Sequence, residues 1–192
     1  VDKVLAAYSV IQLDLYNYGA IDQFSTATFT DEIITITKAG LAYQKAHARD
    51  NLGARAGMLH NMASSTLPDK GTARPDQVKL GHEAAIEALK IRSEMGDKGA
   101  IGVAEYMVGV FNYKAGKFDE AQKYFKASLD TLGGTMRFQD IAWSKLYLGL
   151  SQLSKGDNGG KELVYEVRKE FEQTGNQYGL VYLDTVAKKF IG

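Results

Sequence analysis

Three histidines, His47, His60 and His82, are the side chains of this sequence best suited to holding a metal or moving a proton near neutral pH. A zinc-type site needs three or four ligands converging on one point, and two ligands borne by one helix stand four residues apart. Each histidine here falls on a different expected helix, and no His-x3-His pair occurs. We read them as solvent-facing or hydrogen-bonded side chains, and expect no metal and no cofactor. Cysteine is absent, which removes disulfides, thiolate nucleophiles and Cys-ligated zinc. Neither a Gly-x4-Gly-Lys-Ser/Thr phosphate loop nor a Gly-x-Ser-x-Gly nucleophile turn is present. Gly96, Gly99 and Gly102 imitate a glycine-rich phosphate loop, but such a loop follows a strand, whereas these residues fall between two helical stretches and read as turn residues. Asp119-Glu120 complements the dipole at a helix start, and Lys188-Lys189 reads as solvated surface. The expectation is a non-catalytic protein.

Composition narrows the class further. The 192 residues carry 23 basic and 23 acidic side chains. That balance disfavours a strongly cationic nucleic-acid or membrane-surface protein. No apolar run approaches the ~20 residues of a membrane-spanning helix, and no signal peptide is visible. The chain begins with Val1, so it reads as a processed form or a fragment. The expected compartment is the cytoplasm, with the periplasm equally compatible. Only 2 prolines occur, and helical periodicity runs almost end to end.

That periodicity predicts nine helices, at about residues 2–16, 31–49, 51–66, 76–95, 98–115, 118–132, 139–154, 161–173 and 177–190. Thr30 is the expected N-cap of the second, with Asp31 and Glu32 in its first turn. The β-branched patch Ile33, Ile34, Ile36 admits a strand as rival, but Ala39, Tyr43 and Ala46 keep helical spacing. Gly133-Gly134 and Gly175-Asn176 are expected helix stops. Pro68, Gly71 and Pro75 mark a longer loop.

The most informative stretch is Val108-Gly109, the turn Gly116-Lys117-Phe118-Asp119-Glu120-Ala121, and then Phe125, Ser128 and Leu129. Small residues at Gly109 and Ala121 let two antiparallel helices approach, and Phe125 fills the space beside them. A small-x3-large-x2-small spacing recurs at Ala39, Tyr43, Ala46; at Gly81, Ala85, Ala88; at Ala121, Phe125, Ser128; and more weakly at Gly160, Val164, Val167. Its last members (46 to 88 to 128 to 167) lie 42, 40 and 39 residues apart, a near-constant period that signifies a repeat architecture.

These residues resemble the tetratricopeptide repeat family, in the variety whose repeats run near forty residues and often end in Glu-x-Gly-Asp, here Glu94-Met95-Gly96-Asp97. The third repeat is closest. Departures are Glu105 and Asn112 where the family favours Trp and Tyr around its Leu-Gly pair, Met62-Ala63 in place of that pair in the second repeat with Leu59 in the Trp place, an insertion at 67–75, and a degenerate second helix after Leu148-Gly149. The resemblance implies an all-α fold, a right-handed superhelix of about four antiparallel helix pairs plus a C-terminal helix. Its repeats would be about 1–50, 51–97, 98–134 and 135–176, capped by 177–192, in a single domain.

The resemblance further implies that the first helix of each pair lines a concave groove. Matched position by position, the groove takes Gly57, His60 and Ser64 from the second repeat. The third supplies Val103, Tyr106, Val110, Tyr113 and Lys114, and the fourth Trp143, Leu146, Leu150 and Leu153. Packing against the neighbouring pair is the rival account of the leucines, Trp143, Tyr106 and Tyr113. A carboxylate clamp from Asn61, Asn112 and Lys145 fits poorly, because the asparagines are not at equivalent places. An apolar helix or hydrophobic peptide suits the groove better. The leading expectation is an adaptor or scaffold that binds a protein or peptide, without nucleic acid or membrane insertion. A sensory or regulatory module of a larger protein, binding a small molecule or signal peptide, is the alternative. Self-assembly through end repeats is the third, motivated by Leu180, Val181, Leu183, Val186, Phe190 and Ile191.

Overall fold

The computed structural model describes residues 4, 7, 8, 10, 11, 29–47, 51–67 and 73–191. Among the described residues every regular element is a helix and no strand occurs. The eight helices are α1 (Thr30–Ala46), α2 (Leu52–Ser65), α3 (Pro75–Met95), α4 (Lys98–Lys114), α5 (Phe118–Leu132), α6 (Phe138–Ser154), α7 (Gly160–Thr174) and α8 (Gln177–Ile191). Val4, Ala7, Tyr8, Val10 and Ile11 are helical too; the rest of the expected first helix lies outside the described residues, as do Pro68 and Gly71 of the insertion. The β-branched patch is helical, as its spacing required.

The helices fall into two compact halves, Val1–Asp97 and Lys98–Gly192. In the first, α2 packs on both α1 and α3, and Tyr8 meets Tyr43 with ring centroids 6.4 Å apart. In the second, α4 pairs with α5 and α6 with α7, while α8 lies on α7. The α6 helix also touches α5, α4 and α8.

Helix ends follow from local chemistry. The Asn51 side chain accepts from the Ala54 amide at 3.0 Å and opens α2. Pro75 occupies the first position of α3, where its missing N–H costs nothing. Gln77 Oε1 there accepts from the Arg74 amide at 2.8 Å. Gly96 and Gly175 close α3 and α7 at φ of 76° and 66°, a left-handed geometry that a side chain resists. Thr30 does not cap α1. It is the first helical residue, after Phe29, and its hydroxyl donates to Ser65 O at 3.3 Å. The last carbonyls of α2 lack helical partners, so a tertiary acceptor takes the hydroxyl from the local amides.

The recurring triplet marks the buried face on three helices of four. Ala121, Phe125 and Ser128 are fully buried on α5, and Gly160, Val164 and Val167 are buried on α7. Gly81, Ala85 and Ala88 are buried on α3, although the middle place there holds an alanine. On α1 the register is wrong. Ala39 and Ala46 are exposed, and the inward residues are Thr30, Ile33, Ile34, Thr37, Gly40 and Gln44. Gly40 is the true close-approach site, since a Cβ there would stand 2.5 Å from Met58 Sδ.

Glycine governs the approach of α4 to α5. A Cβ on Gly109 would stand 2.6 Å from the Phe125 ring, and one on Gly102 would stand 2.5 Å from Leu132; Gly99 and Gly102, expected as turn residues, both lie within α4. The buried Ser128 hydroxyl donates to Gly102 O at 2.7 Å and lies 2.9 Å from Ser144 Oγ. One small side chain thereby ties α4, α5 and α6.

Candidate functional site

In the C-terminal half the helices α4, α6 and α8 carry a connected set of aromatic rings. Tyr106 and Tyr113 stand seven residues apart on α4, two turns along one face. Tyr147 of α6 meets both edge-on, at centroid distances of 5.8 and 5.4 Å and interplanar angles of 75° and 84°. The same ring lies 5.6 Å from Phe125 of α5. Four residues before it, Trp143 lies 5.2 Å from Phe171 of α7 and 5.3 Å, edge-on, from Tyr182 of α8. The Tyr147 and Tyr182 hydroxyls are hydrogen-bonded to each other. Tyr178 closes the series, 6.1 Å from Trp143 and stacked at 6.3 Å on Tyr182. Edge-to-face pairs of this kind contribute about 0.5–1.5 kcal/mol each beyond area burial.

This network separates the expected groove residues. Val110, Leu146 and Leu150 are wholly buried, Ser64 is buried on α2, and Leu153 is 8% exposed. They hold helices together and present no surface to a partner. His60, Tyr106, Tyr113, Lys114 and Trp143 are half-buried, as are Gly57 and Val103. Lys114 Nζ sits 5.7 Å above the Tyr113 ring, a cation–π contact within one turn. Two residues that spacing did not single out matter more. Tyr147 is the hub of the rings at 1% exposed, and Tyr178 is their solvent-facing end at 72% exposed, beside Val181 at 67%. The Trp143-x3-Tyr147 and Tyr178-x3-Tyr182 spacings are the sequence signal for both.

Two of the three carboxylate-clamp candidates, Asn112 and Lys145, are engaged within the protein. Asn112 is buried, with Nδ2 donating to Val108 O at 2.9 Å. Lys145 Nζ donates to Glu170 at 2.5 Å.

Among the described residues, ionisable chemistry in the interior is sparse. Glu105 of α4 has one buried carboxylate oxygen without a hydrogen-bond partner. Burial raises its pKa above the usual carboxylate value; a hydrogen bond from Thr131 opposes this and the charge of Asp130 adds to it. In the N-terminal half the exposed Asp31 receives both ends of the Arg74 guanidinium, at 3.1 and 3.2 Å, and Gln77 Nε2 at 2.8 Å. The Arg74 hydrogen bonds, then that of Gln77, hold its pKa below the ordinary value. Among the described residues no three His, Asp or Glu side chains gather as a metal site, and no helix is long and apolar enough to cross a membrane.

No protein-family model matches the chain, and none of the curated proteins compared with it matches its sequence.

Proposed function

We propose that this protein is a non-catalytic binding module of the tetratricopeptide kind. Its C-terminal half forms a short right-handed stack of helix pairs, and a protein or peptide partner lies along the face of α4, α6 and α8. The observation that carries this reading is the ring series from Tyr106 through Tyr147 and Trp143 to Tyr178, with Tyr178 and Val181 left in solvent. Tyr and Trp dominate binding energy at interfaces because they bury much area with few torsions to freeze. Repeated packing supports the stack. Phe171 fills the space beside Gly179, where a Cβ would stand 2.7 Å from its ring, much as Phe125 fills the space beside Gly109.

Affinity capture from native lysate with Tyr178→Ala and Trp143→Ala tests the reading. Tyr178 is mostly solvent-exposed, so its loss leaves the fold intact and weakens capture of a specific partner by about tenfold or more, as for an interface hot spot. A partner retained at full strength by both variants, each shown to be folded by circular dichroism, would place binding on another surface.

A further inference from the structure

The C-terminal half contains a second feature that the aromatic face does not use. A cleft of about 780 Å³ opens where α5 passes to α6 and α7 to α8. That volume lies within the range of ligand sites, about 300–1,000 Å³. Half-buried Ile141 forms its apolar wall, with the buried Ala142 and Phe171 behind it. Met136 and Phe138 stand at its mouth, 88% and 71% exposed. Two large apolar side chains held in water beside an apolar wall mark a surface suited to being covered.

The charges of the cleft define what covers it. Arg137 Nε donates to Asp140 at 2.6 Å, and Lys145 Nζ donates to Glu170 at 2.5 Å. All four groups line the cleft and cancel in pairs before a ligand arrives. A charged ligand must break a pair or lose its water uncompensated, and a neutral one faces neither cost. Gln139 and Gln173, also in the lining, carry side-chain amides that donate and accept, which is what a peptide backbone requires.

We propose that this cleft binds an uncharged peptide segment. One large apolar side chain of the segment enters between Met136, Phe138 and Ile141, and its backbone amides meet Gln139 and Gln173. The site is separate from the α4–α6–α8 face, and the proposal goes beyond the reading of that face.

Trp143 is the sole tryptophan of the chain, and its ring lies 5.2 Å from Phe171, so it reports on the cleft from behind its wall. Trp143 fluorescence and backbone amide NMR shifts are followed while the full chain is titrated with acetyl-Leu-Leu-amide. The titration is repeated with the same peptide bearing a free carboxylate and with it bearing a free amine. The expected result is a saturable response, with shifts concentrated at residues 136–142 and 171–176. Both charged peptides bind at least about tenfold more weakly, as uncompensated desolvation requires. The double variant Met136→Ser/Phe138→Ser weakens the neutral peptide by about tenfold or more through lost apolar contact. Tyr165→Ser, an exposed apolar residue outside the cleft, and Tyr178→Ala do not weaken it. Absence of saturation by both readouts, equal affinity for the charged peptides, or indifference to Met136→Ser/Phe138→Ser overturns the proposal. Sensitivity to Tyr178→Ala instead would assign the peptide to the aromatic face, so the two sites fail separately.

Discussion

The two halves of the chain use helices of similar length but close them with different side chains. The buried apolar residues described for the N-terminal half are aliphatic: Met58, Leu59, Met62, Ile33, Ile34 and Ile91, with alanines at 56, 63, 84, 85 and 88. In the C-terminal half Phe111, Phe125, Tyr147 and Phe171 are buried among leucines, valines and a single methionine, Met107. Rings are rigid and need a matching recess, which glycines at 109 and 179 supply for Phe125 and Phe171. Methionine bends to fit and tolerates a less exact neighbour. The aromatic half thus ends with rings at its surface that are already fixed in position, which suits it to recognition; the methionine half lacks that series among its described residues.

Three measurements would break or sharpen this contrast. The largest effect is expected from Phe125→Ala, which empties the central recess of the aromatic half and costs about 3–5 kcal/mol. Ala85→Gly, at the matching triplet place on α3, costs only about 1–2 kcal/mol through helix propensity and a lost methyl. Urea unfolding, with hydrogen exchange to locate the loss, measures both, and equal costs would remove the distinction. Next come the glycines. A Cβ on Gly149 would meet Gly160 O at 2.8 Å and Leu163 Cβ at 3.1 Å. Backbone cannot swing aside, so Gly149→Ala costs about 1–3 kcal/mol. At Gly40 the nearest obstacle is the Met58 sulfur, which can rotate away. Gly40→Ala therefore costs under about 1 kcal/mol, and the helix gain from alanine offsets part of that. Thermal melting ranks the two, and a reversed order would contradict the account of rigid and adaptable packing.

The smallest effect concerns pH. Burial raises the folded-state pKa of Glu105 above its usual 4.5, so the native protein holds that proton more tightly than the unfolded chain. The resulting stability is complete below the unfolded value and is lost as pH rises through the folded one. Unfolding midpoints followed upward from pH 4 should fall across that window in the wild type and fall less in Glu105→Gln. Identical profiles would show that this carboxyl is solvated in the native state.

How much could be read in advance differed from helix to helix. The α4–α5 hairpin was legible because Gly109, Ala121, Phe125 and Ser128 each have a distinct size, so only one rotation of the helices lets them mesh. On α1 the small residues Ala39 and Gly40 are adjacent. One residue is about 100° of helix rotation, and the spacing alone selected Ala39, which faces solvent. Position-by-position matching assigned Val110, Leu146 and Leu150 to an apolar face that lines a groove. Whether a partner or a neighbouring helix covers such a face is not written in that helix. Here they are wholly buried within the chain, and exposed apolar surface passed instead to Tyr178, Val181, Met136 and Phe138. Tyr147 was hidden in the run Leu146-Tyr147-Leu148, where three consecutive apolar residues blur the periodicity.

Local chemistry therefore determined the all-α character, the positions of most helix ends and the close approach at Gly109, since caps, propensities and side-chain volumes act over a few residues of chain. Only tertiary structure decided which apolar side chains became core, which hydroxyls left their local amides for a distant carbonyl, and how four charges of α6, α7 and their approach cancelled around one cleft. Those outcomes depend on the distance between segments far apart in sequence, and that distance is fixed by the packing of whole helices.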